Sequence, residues 1–342
     1  MLRSCQFATV TGALLFVALC PLSASAQVKI TPVLEGLDNP SGLCIHGKTG
    51  HLFVATHPAV LRVAPTSPAK KFVEVDAFKT DIYGKGPKYD IGPLGVALLG
   101  EEHLIVGDGS LQDAEELVRV FKIGANPPTT PTAADNAAFK LGPIGPGDAS
   151  AKGEGNFYAI AVGPKAFYVT SNGDDTKGWI LKCDIKDGKP GNLEPFIATK
   201  PLVNVDAPVG ITLSPDGKQL VVGQMGEVNI AGDSLLCFYN PDDGKLLKSH
   251  ATGLNDIAGL AYSPKTGKLY AVDYSWVEPK NGGLFRLDIT ADGVKAVKIA
   301  GLDKPTALAF YKEGNLYVTV FGTVPEGSSA LAGSLVKIAA GL

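Results

Sequence analysis

The chain is poor in the residues that announce common active sites. Of its 342 residues only 5 are His, 5 Cys, 2 Met and 2 Trp. No pair of histidines has zinc-binding spacing, and no haem-attachment motif is present. A Gly-x-Ser-x-Gly elbow is missing too, which removes the usual context of a serine nucleophile. No Gly-rich loop leads from a strand into a helix to hold a phosphate. Formal charge is −3 and no basic cluster interrupts it. Nucleic acid and anionic membrane therefore have no electrostatic footprint here and are excluded as partners. Beyond the N-terminus no apolar run is long enough to span a bilayer as a helix.

The N-terminus itself reads as an export signal. Arg3 supplies the positive end, residues 12–20 (GALLFVALC) the apolar stretch, and Ala24, Ser25 and Ala26 the small-residue cleavage site. Residues 1–26 are thus expected to leave, and 27–342 to function as a secreted or periplasmic monomer. Leu19 before Cys20 argues against a lipid anchor, which needs a small residue there. Cleavage removes Cys5 and Cys20 and leaves Cys44, Cys183 and Cys237. That odd number, without metal or redox spacing, reads as buried free thiols packed as small hydrophobes; one disulfide pair is the alternative.

What the chain has in quantity is glycine (41) and proline (24), spread along its length. Many short strands closed by turns produce such a composition. Aligned on itself, the sequence returns six times to an apolar strand, a tight turn and a second strand, starting at Ser41, Leu94, Tyr158, Val209, Ala258 and Thr306. Intervals of about fifty residues suit one four-stranded propeller blade each. A third strand follows every pair, and Arg62, Arg119, Lys182, Arg286 and Lys337 share one position on it. The second residue of each first strand is Gly42, Gly95, Ala159, Gly210, Gly259 or Ala307. Strands converging on a common axis need that column of small side chains.

Fourth strands are expected over 71–77, around Phe139, over 193–198, near Leu246 and over 294–299. The sixth unit ends without one. Residues 28–40 (VKITPVLEGLDNP) resemble 293–305 (GVKAVKIAGLDKP), so 29–34 should complete the last blade and close the ring. The fold expected is all-β: a six-bladed β-propeller of four-stranded antiparallel blades. The Pro- and Ala-rich stretch 124–152 then reads as an excursion between blades two and three rather than a domain boundary.

In a propeller the loops entering the first strands and leaving the second strands share one face, at the channel mouth. Entry loops supply Asp38, Asp206, Asn255 and Asp303. Oxygen ligands around an axis suit a divalent cation such as Ca²⁺ or Zn²⁺. An Asp two residues before Pro equally makes local turns, so repeat geometry alone would produce the same pattern. Exit loops supply His57, Asp108, Asp273, Tyr274 and Trp276 as candidate ligand contacts. Aromatic surface beside carboxylates suits stacking on a sugar or peptide, and it also pins long loops. The insertion 83–89 lies before blade two and should join the same rim. His57 is the one histidine that approaches the mouth; as a general base it competes with a plain loop histidine.

The segments ITLSPDGKQLVVG and LAYSPKTGKLYAVDYS resemble two related propeller groups, the NHL-repeat proteins and the gluconolactonase–regucalcin family of metal-dependent sugar-lactone hydrolases. That resemblance implies a metal held by a Glu on an entry loop, Asn residues heading inner strands, and an Asp. Asp38 matches the Glu position, but Ser41, Leu94, Tyr158, Val209, Ala258 and Thr306 stand where the Asn residues would be. Two functions follow as expectations. One is a binding or scaffold propeller presenting its mouth to a protein, peptide or glycan. The other is a metal-dependent hydrolase of sugar lactones using Asp38, Asp206, Asn255 and Asp303.

Overall fold

The computed structural model describes residues 28–84, 88–173, 176–339 and 341–342. Residues 1–26, read above as an export signal, lie outside them. Within them the chain forms six four-stranded antiparallel blades, with one extra strand on the first blade and one separate hairpin. Inner strands are Leu43–Ile45, Pro93–Leu99, Ile160–Val162, Pro208–Leu213, Ile257–Tyr262 and Pro305–Phe310. Each packs against the next around the ring, and the last packs against the first.

Ring closure is as expected. Ile30–Leu37 pairs antiparallel with Gly333–Ile338, so the last blade is built from both ends of the chain. The other outer strands are Lys70–Asp76, Phe139–Leu141, Lys189–Ala198, Leu246–Ala251 and Gly293–Gly301. Part of the excursion is structural: Thr132–Ala133 pairs parallel with Val75 and Asp76 of blade 1 before the chain returns to blade 2.

The second strands, such as Leu52–Thr56, Leu220–Gln224 and Leu269–Asp273, are buried at every position because both blade faces are covered, so the core is six clusters between successive blades rather than one centre. Phe53, Val60 and Val75 of blade 1, for example, pack on Val96, Val106 and Phe121 of blade 2. Leu37 and Leu335 close the ring on Leu43 and Leu52. Cys183 and Cys237 fall in different clusters, and all three described cysteines are free.

The small-residue column has a steric cause. A Cβ on Gly95 would lie 2.7 Å from the Tyr158 carbonyl oxygen, and one on Gly210 3.1 Å from the backbone of Gly259. Neighbouring inner strands are simply too close for more. The shared cationic column of the third strands works outward instead. The Arg62 guanidinium, 1% exposed, pairs with Glu74 at 2.8 Å and lies 4.8 Å from the Phe53 ring centre. Arg119 pairs with Asp108.

Candidate functional site

Entry and exit loops do share one face, and a repeated backbone hydrogen bond holds them together. His57 N–H donates to Asp38 O (2.9 Å), Gly109 to Gly92 (3.1 Å), Asn172 to Gly155 (3.1 Å), Met225 to Ala207 (2.7 Å), Tyr274 to Asp256 (2.8 Å) and Phe321 to Lys304 (2.9 Å). Every blade contributes one. Above this ring sits a cavity open to solvent.

Its floor is formed by the residues that head the inner strands: Ser41, Leu94, Tyr158, Val209, Ala258 and Thr306. Tyr158 reaches across the axis from blade 3 to blade 6, where its hydroxyl donates to Thr306 O at 3.3 Å. Tyr158 also borders the cavity at the other end of the channel. The channel is therefore crossed by a side chain, and the mouth is a bowl rather than a pore. Ser41 and Thr306 spend their hydroxyls on the carbonyls of neighbouring blades, Leu94 O at 3.0 Å and Pro40 O at 2.9 Å.

One wall is aromatic. Tyr274 and Trp276 come from the exit loop of blade 5 and Phe321 from that of blade 6. Tyr83 and Tyr89 come from the hairpin Asp81–Tyr83 and Tyr89–Ile91, inserted between blades 1 and 2. That hairpin crosses the mouth. The Tyr89 ring lies 4.7 Å from Phe321 and 5.7 Å from Trp276, both edge-on. Lys304, 7% exposed, donates to the Tyr89 hydroxyl at 3.2 Å and lies under the Tyr89 and Tyr274 rings. On blade 1, Asn39 Nδ2 donates to Asp90 O at 2.8 Å. Polar groups complete the bowl: Asn39, Asn156, Asn172, Asp206 and Glu227.

Of the nine candidate residues, three line this cavity: Asp206, Tyr274 and Trp276. Asp206 accepts from Lys200 Nζ at 2.8 Å and from Ala207 N at 2.7 Å. Asp108 is fully buried, accepting from Gly109 N and Ser110 N at 3.0 Å each while it pairs with Arg119. Asp273 is buried as well and accepts three backbone N–H groups, those of Asn255, Asp256 and Ser275. Burial still pushes its carboxyl above the ordinary carboxylate range. Both carboxylates tie loops.

The four entry-loop oxygens stand on different blades, each with a local partner. Asp38 Oδ2 bonds His57 Nδ1 at 2.8 Å. Asn255 accepts from Gly232 N at 3.0 Å and donates to Ser275 Oγ at 2.8 Å. Asp303 accepts from Thr323 Oγ1 at 3.0 Å. Among the described residues no group of three or more His, Cys, Asp and Glu converges as a metal site.

Sequence reasoning overlooked Asp256. Its carboxyl is 1% exposed and takes the Trp276 backbone N–H on Oδ2 at 2.6 Å, while Oδ1 has no partner. Burial first, then the Asp273 and Asp233 charges, push it up to about 7 against the one favourable Trp276 bond. The readable signal was a carboxylate at the last position before an inner strand. Lys304 was overlooked for a different reason, since a lysine beside a proline looks like an ordinary solvated loop.

No family model and no curated protein matches the sequence. Solved structures do match the fold. A PQQ-bound aldose sugar dehydrogenase from Streptomyces coelicolor superposes with a TM-score of 0.62 at 16% identity, over 92% of this chain and 98% of that one. A putative oxidoreductase (glucose dehydrogenase) from Thermus thermophilus gives 0.59 at 17% over 91% and 100%. A gluconolactonase from Xanthomonas campestris gives 0.58 at 12% over 92% and 91%. The six-bladed propeller architecture, gluconolactonase-like in its overall form, is what this chain has in common with them.

Proposed function

We propose that this protein is an exported binding propeller whose channel mouth takes a carbohydrate. One observation carries the reading: an aromatic wall of Tyr83, Tyr89, Tyr274, Trp276 and Phe321 and a set of amide and carboxylate groups line one bowl. A sugar ring presents apolar C–H faces that stack on aromatic rings and hydroxyls that need amide and carboxylate partners. Several proteins of like fold are named for sugars, which supports the class without fixing the sugar.

The PQQ of the sugar dehydrogenase does not suit this bowl. PQQ is a polycarboxylate, whereas the charged groups among the described lining residues are Asp206 and Glu227, with no Lys, Arg or His. Glu227 would face the PQQ carboxylates, and the nearby Lys200 and Lys304 already bond Asp206 and Tyr89.

Titrating neutral oligosaccharides by isothermal calorimetry tests the proposal. Trp276→Ala should weaken binding at least about tenfold, or about 1.4 kcal/mol. If no oligosaccharide binds the intact protein, or if Trp276→Ala binds as well as wild type, the carbohydrate reading fails. Likeness to a gluconolactonase favours a second reading, a lactone hydrolase with one Ca²⁺ or Zn²⁺ at the mouth, although Asp38, Asp206, Asn255 and Asp303 do not converge on one cation in this structure. Cation binding at a hundredfold excess over Kd would raise stability by about 2.7 kcal/mol. A melting temperature equal in Ca²⁺, Zn²⁺ and chelator would end that reading.

A further inference from the structure

Three segments of blade 1 meet beside the mouth, outside the bowl. They are the entry loop at Asp38, the turn after the strand Leu52–Thr56 at His57, and the connector after the strand Lys70–Asp76 at Thr80. Their side chains form an unbroken chain of hydrogen bonds. Asp38 Oδ2 lies 2.8 Å from His57 Nδ1, and His57 Nε2 lies 2.8 Å from Thr80 Oγ1. The residues are 19 and 23 positions apart, so no local turn motif brings them together.

The imidazole is fixed from both sides. Its own backbone N–H is held by Asp38 O at 2.9 Å. Behind the turn, Gly92 packs so close that a Cβ there would lie 3.3 Å from Pro58 Cα. A carboxylate on Nδ1 places the proton of the neutral ring on that nitrogen and leaves Nε2 to accept from a hydroxyl. That is the arrangement of an orienting acid, a base and a nucleophile. Thr80 is exposed, and just beyond it Ile82 (61%) presents apolar surface to solvent.

We propose that Thr80, His57 and Asp38 form an acyl-transfer centre for small, unhindered carboxylic esters, with the apolar part of the ester against Ile82. Thr80 Oγ1 attacks the ester carbonyl carbon and gives its proton to His57 Nε2. The carbon–alkoxy bond breaks, and the leaving alkoxide takes that proton to depart as an alcohol. Water then attacks the acyl-threonine, passing a proton to Nε2. The carbon–Oγ1 bond breaks, Thr80 recovers the proton, and the acid leaves. Asp38 is a positioning residue that holds the ring and its tautomer. The centre is independent of the carbohydrate reading of the bowl.

The test uses p-nitrophenyl acetate and butyrate with the full-length protein, together with acid quenching and mass spectrometry of the peptide that carries Thr80. Wild type should turn over both esters and carry a transient acyl group on that peptide. Thr80→Val, which keeps the shape and removes the hydroxyl, and His57→Asn should each lower turnover about a hundredfold or more. Asp38→Asn should lower kcat with KM little changed. His103→Gln, on the far face, should match wild type. Melting curves of the variants separate lost chemistry from lost folding. The proposal is overturned if a folded Thr80→Val turns over esters at the wild-type rate, if wild type shows no turnover above buffer, or if the acyl group sits on another residue.

Discussion

Asp256 lets the channel mouth be tested without a ligand. Its carboxyl is buried beside Asp273 and Asp233, keeps one oxygen unpartnered, and titrates at about 7 instead of the ordinary 3.8. In the unfolded chain it loses its proton near the ordinary value, whereas the folded protein retains it until about 7. Between those values the native state binds more protons than the unfolded state, so stability falls as pH rises through the window. A shift of that size corresponds to at most about 4 kcal/mol, and roughly 3 kcal/mol of it falls between pH 5 and 8. Asp256→Asn imitates the protonated form: its amide oxygen can still accept the Trp276 N–H, and it does not ionise. Denaturant unfolding of both proteins at pH 5 and pH 8 removes every other titration by difference. The variant should gain on wild type by about 3 kcal/mol across that interval and be the more stable protein at pH 8. A difference that stays constant within about 0.5 kcal/mol would show that Asp256 ionises normally and that its burial costs nothing.

Other outcomes follow from packing. Deleting 28–37 removes the strand paired with Gly333–Ile338 and exposes Leu335; the whole domain, not one blade, should lose its cooperative melt. Gly95→Ala places a methyl group 2.7 Å from the Tyr158 carbonyl and should cost about 1–3 kcal/mol. Gly47→Ala, with nothing within 4 Å, should stay within about 0.5 kcal/mol of wild type; paired denaturation curves check both. Arg62→Met strands the buried Glu74 carboxylate and should cost about 3–5 kcal/mol, much of it restored by adding Glu74→Leu.

The fold was legible because propeller geometry writes itself into single columns of residues. Inner strands approach within backbone contact of one another, so Gly42, Gly95, Gly210 and Gly259 cannot carry larger side chains. Closing the ring with Ile30–Leu37 was readable because an outer strand keeps its pattern wherever it sits in the chain. Thr132–Ala133 escaped notice because two residues pairing parallel with a blade edge leave no periodicity to detect.

Residues at the mouth were legible in position but not in role, because role depends on which neighbour reaches each carboxylate first. Asp38 and Asp206 look alike as entry-loop acids, yet one faces His57 and the other Lys200, a contact made by residues 19 and 6 positions away. Asp273 stands directly before the aromatic residue Tyr274, which suggested a ligand contact. Its oxygens turn inward onto three backbone N–H groups of the same two loops, which need acceptors once buried. Tyr158 makes the point from the opposite direction. In a column where the sequence showed only that Asn is absent, its size and its bond to Thr306 O convert the axis from a place for an ion into the floor of a bowl. The chemistry of this mouth therefore belongs to its walls, and those are supplied by loops whose lengths vary from blade to blade.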